Sequence, residues 1–421
     1  MVSKARAWNG LWAVLLFLFL LFTSGGHRVG AQQLVLATHG VGTDNRAIEQ
    51  EIVEEFEAKF GVDVEIVIFT SAEYEEKVIS MILSGNPPDV MYSAARINGS
   101  YVGKSLVQSL NPFIERDSVF RLDEYFPSII AGFTIDGEIY GIPRGNQPNV
   151  IFANLTQFAE AGLPSPTRDW TWDGEFLDAA RRLTRDQTFG FHDGGILWPV
   201  VWAFGGSFLD QAESVYTLNQ PPGVTALEFI AALSFEHGVS PGTQVNVGGP
   251  IPAFANGAVA MMSSNAAGSA NPALQDLPFD WSVEEMPLGP AGRATAIDGA
   301  GYSIAATSRN PELAWELLKA LTDEAGITSL TRAFNPGQVL PSHRSVAMSE
   351  HFLFAEGPLA DRLPFIRALE YARLPYVGQE KWPELWSVLN GEAVQPIMRG
   401  DLSPQIALDA VQSKINAILE N

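Results

Sequence analysis

The sequence predicts an α/β protein built as two lobes, and three observations lead to that expectation. The chain has 421 residues, longer than one hydrophobic core usually grows before the chain splits. Strand and helix signals alternate through residues 34–92, and a second alternating unit begins near residue 301. Such alternation implies a mainly parallel sheet with helices on both faces.

Each element has its own signal. Leu34-Val35-Leu36-Ala37 reads as a strand, and His39-Gly40-Val41-Gly42 as a turn after which Thr43 and Asp44 cap a helix. Ile48, Ile52, Phe56 and Phe60 recur every four residues, the stripe of an amphipathic helix over 46–60 that Gly61 ends. Residues 62–69 alternate, with Val62, Val64, Ile66 and Ile68 on one face of a strand. A helix over 72–84 and a strand at 89–92 complete the run. Further on, residues 301–306 form a strand, and a helix follows from Pro311 to Gly326 with Pro in its first turn. The last helix spans 404–420, with Ile406, Ala410, Ile415 and Ile418 on one side. Ligands on such sheets bind beyond the carboxyl ends of the strands. That places His39 to Asp44 and Tyr92 to Arg96 at one edge.

Residues 1–31 stand apart from the fold. Lys4 and Arg6 precede the unbroken apolar run Leu11–Phe22, and small residues end the segment at Val29-Gly30-Ala31. This is the three-part pattern of a secretory signal peptide cleaved after Ala31. The run spans only about 18 Å as a helix, short of a ~30 Å hydrocarbon core. The expected product is periplasmic or secreted, and the absence of cysteine denies it a lipid anchor.

Composition removes whole function classes. Lysine and arginine number 26 against 48 acids, a net charge of −22. Cleavage takes away Lys4, Arg6 and Arg28 and no acid, leaving 23 cations against 48 acids and a net charge of −25. Nucleic-acid binding needs a basic footprint, so it is not expected. Without cysteine there is no thiolate metal site and no thiol nucleophile. Histidines 27, 39, 192, 237, 343 and 351 are scattered with no H-E-x-x-H spacing, so neither metal nor other cofactor is expected. Gly99–Ser105 is one residue short of a phosphate loop, and Gly40-x-Gly42 lacks the third glycine of a dinucleotide fingerprint. The acid pairs Glu54-Glu55, Glu75-Glu76 and Glu284-Glu285 read as solvated faces rather than as paired catalytic carboxylates. No G-x-S-x-G elbow is present, and no catalysis is expected.

Aromatics point instead to binding. Eight tryptophans follow residue 31, at 170, 172, 198, 202, 281, 315, 382 and 386. A sugar ring stacks its C–H face on such a plate while Asn, Gln, Asp and Arg read the hydroxyls. Trp315 belongs to a core stripe and Trp170 and Trp172 flank a helix start, which leaves Trp202, Trp281 and Trp386 as candidate plates.

An ordered series of short motifs runs along the chain. Its members are Ser84-Gly-Asn-Pro-Pro-Asp-Val90, Leu110-Asn-Pro-Phe-Ile114, Asp136-Gly-Glu-Ile-Tyr-Gly-Ile-Pro143, Phe158-Ala-Glu-Ala-Gly-Leu-Pro164, Trp198-Pro199 to Gly205-Gly206, Phe254 to Met262, Pro287-Leu-Gly-Pro290 and Asn310-Pro-Glu-Leu-Ala-Trp315. Through this series the chain resembles the family-1 extracellular solute-binding proteins of ABC importers, the group of the maltose binders. The resemblance implies a two-lobed periplasmic-binding-protein fold of the type II kind, with three crossings between lobes, a ligand cleft and closure about a hinge. It implies crossings near 144–147, 296–299 and 337–341. It divides the chain into residues 32–145 plus 298–337 as one lobe and 146–297 plus 338–421 as the other.

Carried over motif by motif, the resemblance implies ligand contacts at His39, Thr43, Asp44, Ser93, Arg96, Gln147, Trp202, Asn265, Trp281, Asp298 and Trp386. It implies a monomer that captures a small solute, expected to be a carbohydrate, and hands it to a membrane permease. The chain departs from the maltodextrin binders at Ser93 and at Ser264-Asn265-Ala266-Ala267, where those proteins carry aromatic plates. A smaller sugar or polyol therefore fits better than a long α-glucan. Two alternatives stay open: a phosphorylated polyol paired with Arg96 or Arg144, and a secreted glycan-active enzyme using Asp44 and Asp298 across the cleft.

Overall fold

A computed structural model describes residues 33–40, 48–185, 187–243, 245–333, 339–357, 359–375 and 381–420. The leader expected at 1–31 and the capping pair Thr43 and Asp44 lie outside the described residues. Among the described residues no helix is long and apolar enough to cross a membrane.

The N-terminal run folds as β1 (Gln33–His39), α1 (Gln50–Phe60), β2 (Asp63–Phe69), α2 (Tyr74–Leu83), β3 (Val90–Ala94) and α3 (Ala95–Gly103). β1 lies between β2 and β3 and is parallel to both. Alternation sends its side chains to two helical layers: Leu34 and Leu36 pack with Ile52, Phe56 and Trp315, while Ala37 packs with Tyr74 and Val78. Gly61 closes α1 in the left-handed conformation, at φ 68°.

The other half is built on β4 (Ile142–Asn154), β5 (Phe189–His192), α4 (Leu197–Ala203), β6 (Val259–Asn265), β7 (Trp281–Glu284) and β8 (Thr295–Ile304). β4 is 13 residues long, which at ~3.3 Å per residue is long enough to serve two cores. Its first half pairs antiparallel with β8, and its second half with β6 and β7. Residues 150–154 of that second half face alternate ways and are all buried. Ile151 and Ala153 meet Trp172, Phe176 and Phe191, while Val150 and Phe152 meet Phe254, Met262 and Trp281.

The crossing strands add antiparallel pairs to a sheet expected to be mainly parallel. β8 runs antiparallel to β3 as well as to β4, and the strand order is β2-β1-β3-β8-β4-β6-β5. Residues 145–148 of β4 face 297–300 of β8, and β9 (Leu340–Pro341) pairs with Asn146 and Gly145 on the same strand. Three passages of the chain thus lie side by side where the two cores approach each other.

The helix expected over 311–326 is two helices, α5 (Pro311–Thr322) and α6 (Glu324–Ala333). Asp323 between them is extended, and its Oδ1 accepts from the Gly326 N–H at 2.8 Å. A short acid that satisfies the first free amides starts a new helix instead of continuing the old one. In the last helix, α7 (Pro404–Glu420), the buried stripe is Ala407, Leu408, Val411 and Ile415, while Ile406 is 61% exposed. The expected stripe holds at Ile415 and at Ile418, which packs against the same core, whereas Ile406 and Ala410 turn to solvent.

The meeting of β4 and β8 contains a bulge. Ala300 faces Gly145 but Gly301 faces Pro143, so Arg144 is an extra residue without a partner across the ladder. A Cβ on Gly301 would stand 2.3 Å from the Ile142 carbonyl oxygen and 2.8 Å from the Pro143 Cα. Backbone atoms cannot yield as a flexible side chain does. Gly301→Ala is therefore expected to destabilise by about 1–3 kcal/mol. Gly391→Ala, which meets nothing within 4 Å, is expected to be neutral or slightly stabilising; urea denaturation of both variants checks the contrast.

Candidate functional site

Two cavities open where the halves of the molecule meet. The first, about 280 Å³, has His39, Ser71, Tyr92, Arg144, Gln147 and Asp298 among its walls. β1 and β3 bring His39 and Tyr92 by their carboxyl ends, the edge where such sheets bind ligands. β4 and β8 bring Gln147 and Asp298, which are direct partners in the ladder. The second cavity, about 320 Å³, lies between Ala95, Gly99, Ala131, Gly132, Thr134 and Ile135 on one side and Trp198, Trp202, Phe208, Asp210 and Glu213 on the other.

Polar groups of the first cavity hold one another in place. Asn265 Nδ2 donates to Gln147 Oε1 at 3.0 Å, and Asn265 Oδ1 caps the short helix after β6 through the Gly268 N–H at 3.3 Å. Asp298 is exposed, and its Oδ1 accepts from the Gly299 N–H at 2.8 Å. The His39 ring stands edge-on to Tyr92 at 4.4 Å between centroids, with Ser71 Oγ 3.3 Å from Nδ1. Burial, then the nearby charge of Arg144, holds the His39 pKa below its ordinary 6.5. The imidazole is accordingly neutral at pH 7, one nitrogen a donor and the other an acceptor.

Behind this cavity sits a buried charged group. Glu49 is fully buried, and its Oε1 accepts from Thr38 Oγ1 at 2.9 Å, Tyr302 OH at 2.7 Å and Arg144 Nη1 at 3.1 Å. Arg144 Nη1 also donates to Tyr302 OH at 3.1 Å, and the guanidinium lies over Tyr92 and Tyr302 at 4.9 and 5.6 Å from their centroids. Burial opposes the charge on Arg144, but Tyr302 and Glu49 outweigh it and keep the side chain protonated. Burial likewise drives the Tyr302 phenol well above its usual range.

The structure gathers some sequence-derived candidates and disperses others. His39, Gln147 and Asp298 line the first cavity, with Asn265 hydrogen-bonded at its side. Arg96 is exposed on α3, close enough for its charge to act on His39 and Tyr92. Ser93 is a departure: strand alternation turns it to the face opposite Tyr92, where it is fully buried. Trp281 is another, stacked on Phe152 at 5.6 Å and 13° inside a core. Trp202 walls the second cavity rather than the first, stacked on Trp198 at 5.9 Å with the Arg373 guanidinium 6.0 Å from its ring. Trp386 packs against Trp198 and Trp382, both at 6.0 Å, and lines neither cavity among the described residues. Glu285, expected on a solvated face, is buried with Arg168 at 3.5 Å and Arg293 at 3.8 Å.

Sequence reasoning missed Glu49 and Ser71 as parts of the site, and placed Tyr92 only at the strand edge. Glu49 follows Ile48 in a helical stripe that masks it, and its partners stand 95 and 253 positions away. The sequence puts Arg144 near a crossing and offers it as an ion-pairing group for a phosphate; its place beside a strand bulge is a tertiary fact.

Comparison with known proteins extends these observations. A family model described as bacterial extracellular solute-binding protein matches residues 39–327. The galactooligosaccharide-binding protein of Bacillus subtilis (strain 168) is 23% identical over 382 residues, spanning 86% of this chain and 84% of that protein. The sugar-binding protein MalE of Xanthomonas citri superposes with a TM-score of 0.81 at 18% identity, covering 92% of this chain and 98% of that one. The cyclic alpha-maltosyl-1,6-maltose binding protein of Arthrobacter globiformis gives 0.78 at 22% identity, covering 93% and 100%. At these identities the structural likeness establishes the two-lobed α/β fold.

Placement of the two side chains separates their expected effects. Trp281→Ala should cost about 3–5 kcal/mol of stability, as for a large core aromatic. Gln147→Ala, half-buried at a cavity wall, should cost about 1 kcal/mol. Equal losses on chemical denaturation would contradict the assignment of Trp281 to the core and of Gln147 to the cavity.

Proposed function

The chain belongs to the bacterial extracellular solute-binding proteins, and on that premise we propose that it captures a sugar or sugar-like solute between its lobes and delivers it to an ABC importer. The observation that carries this reading is the first cavity. Its groups come from both halves of the molecule, and they are mostly neutral hydrogen-bonding ones: His39, Ser71, Gln147 and Tyr92, with Asn265 behind. Such groups suit hydroxyls, which both donate and accept. The sugar-binding names of the relatives agree with it. His39, Gln147, Asn265 and Asp298 are the proposed contacts in the first cavity. Trp202 is the proposed apolar wall in the second, and Thr43, Asp44 and Arg96 are further proposed contacts.

The lobes in this proposal are residues 32–145 plus 298–337 and residues 146–297 plus 338–421, joined by the three neighbouring passages. The relatives are binding proteins rather than enzymes, and this chain is read likewise as acting without catalysis. A free monomer outside the cytoplasmic membrane, released from the segment 1–31, is the form proposed to meet the permease. A phosphorylated polyol is the weaker alternative, because Arg144 already faces Glu49 at 3.1 Å.

A thermal-shift panel of mono-, di- and trisaccharides, polyols, glycerol phosphates and amines tests the reading. A solute at 100 times its Kd adds about 2.7 kcal/mol of stability, which raises Tm by a few degrees. A saccharide or polyol is expected to give the largest shift, with no product formed in the mixture. A shift by an anion or amine alone would overturn the carbohydrate assignment. Gln147→Ala is expected to weaken the best solute about tenfold, the ~1.4 kcal/mol of a hydrogen bond to a bound ligand; calorimetric titration checks it.

A further inference from the structure

The pair Glu49 and Arg144 has a consequence for which solutes the cleft accepts. Arg144 lines the first cavity, whereas Glu49 is fully enclosed behind it and is not part of the cavity lining. A solute therefore meets the cation first. The exposed Asp298 carboxylate shares this wall, and without the Glu49 carboxylate behind it the guanidinium would offset Asp298 and admit an anionic solute more readily. With the Glu49 carboxylate 3.1 Å away, the two charges form a compact dipole whose field falls off much faster than that of a lone cation.

The same carboxylate oxygen also collects the elements that carry the cavity groups. Its donors are Thr38 beside His39 on β1, Arg144 three residues before Gln147 on β4, and Tyr302 four residues after Asp298 on β8. One oxygen thus ties together three strands whose ends line the cavity. Resting on the function proposed above, we propose that Glu49 is the specificity-determining residue of the cleft: it cancels the Arg144 charge that faces the solute, so that uncharged solutes are preferred to anionic ones, and it holds the crossing strands in register with β1.

Glu49→Gln is a conservative probe of this role. Oε2 of Glu49 has no hydrogen-bond partner among the described residues, so a glutamine can retain the three-donor oxygen and place its NH2 at the Oε2 position, removing the charge without breaking a hydrogen bond. Calorimetric titrations of the full chain would use two pairs that differ only in carboxylates: α-1,4-galactobiose with α-1,4-digalacturonate, which differ at two, and glucose with glucuronate, which differ at one. The wild type is expected to bind the neutral member more tightly. In E49Q the ratio of affinities should move at least tenfold toward the anion, and in the E49Q/R144Q double variant it should return to the wild-type value. A merely structural role would weaken both members alike and leave the ratio unchanged, which would overturn the proposal. If E49Q does not fold, R144Q is the second arm: it should lower binding of the anion relative to its neutral partner, and an unaltered ratio is again fatal. A wild type that prefers the anion, or binds neither pair, also overturns it. The wider panel then decides separately whether the saccharide reading stands.

Discussion

β4 and β8 run side by side through the middle of the molecule, and the placement of everything else follows from how they pair. Each strand serves a different set of neighbours at its two ends, so their common register sets the position of one core relative to the other. A slip of one residue would exchange inward and outward faces along both strands. It would turn Gln147 away from the cavity and break its pairing with Asp298. Two features at the bulge guard against such a slip. Gly301 allows a close backbone approach that no Cβ permits, and Arg144, left over by the ladder, is bound elsewhere.

That binding is an ionic one in a buried place, where removing charges from water costs several kcal/mol per ion. The cost is offset in part: one carboxylate oxygen accepts three hydrogen bonds, and the guanidinium lies over two tyrosine rings. A pair of this kind adds little net stability compared with an apolar substitute. Removal of one partner is a different matter, since it strands the other charge at about 3–5 kcal/mol. Selection for such an arrangement makes sense where position and charge matter more than stability, as they do at the floor of a binding cleft.

The tryptophans divide along a similar line between packing and recognition. Trp198, Trp202, Trp382, Trp386 and Phe208 form one continuous aromatic group, with centroids 5.5–6.1 Å apart. Only part of its surface reaches the second cavity, through Trp198, Trp202 and Phe208. The group therefore forms a firm apolar wall rather than mobile plates. Neighbouring aromatics restrain each ring, so little side-chain entropy remains to be lost when a solute arrives.

The alternating elements of residues 33–94 were legible because periodicity is local: a strand shows its two-residue repeat and a helix its four-residue stripe within a few turns. Trp315 was readable as core for the same reason and is buried, as are Trp170 and Trp172 beside their helix start. Of the candidate site, His39, Gln147, Asn265 and Asp298 followed from motifs tied to particular strand ends. Ser93 and Trp281 did not come out as expected, because strand phase and neighbouring packing decide which way such a residue faces. The helix break at Asp323 turned on a single side chain capping free amides. Composition by itself determined an acidic, cysteine-free, apolar-rich chain, and local pattern determined its α/β class. Only the tertiary structure decided that Glu49, Arg144 and Tyr302 converge, because hydrogen bonds and ion pairs act over a few ångströms while these residues lie up to 253 positions apart along the chain.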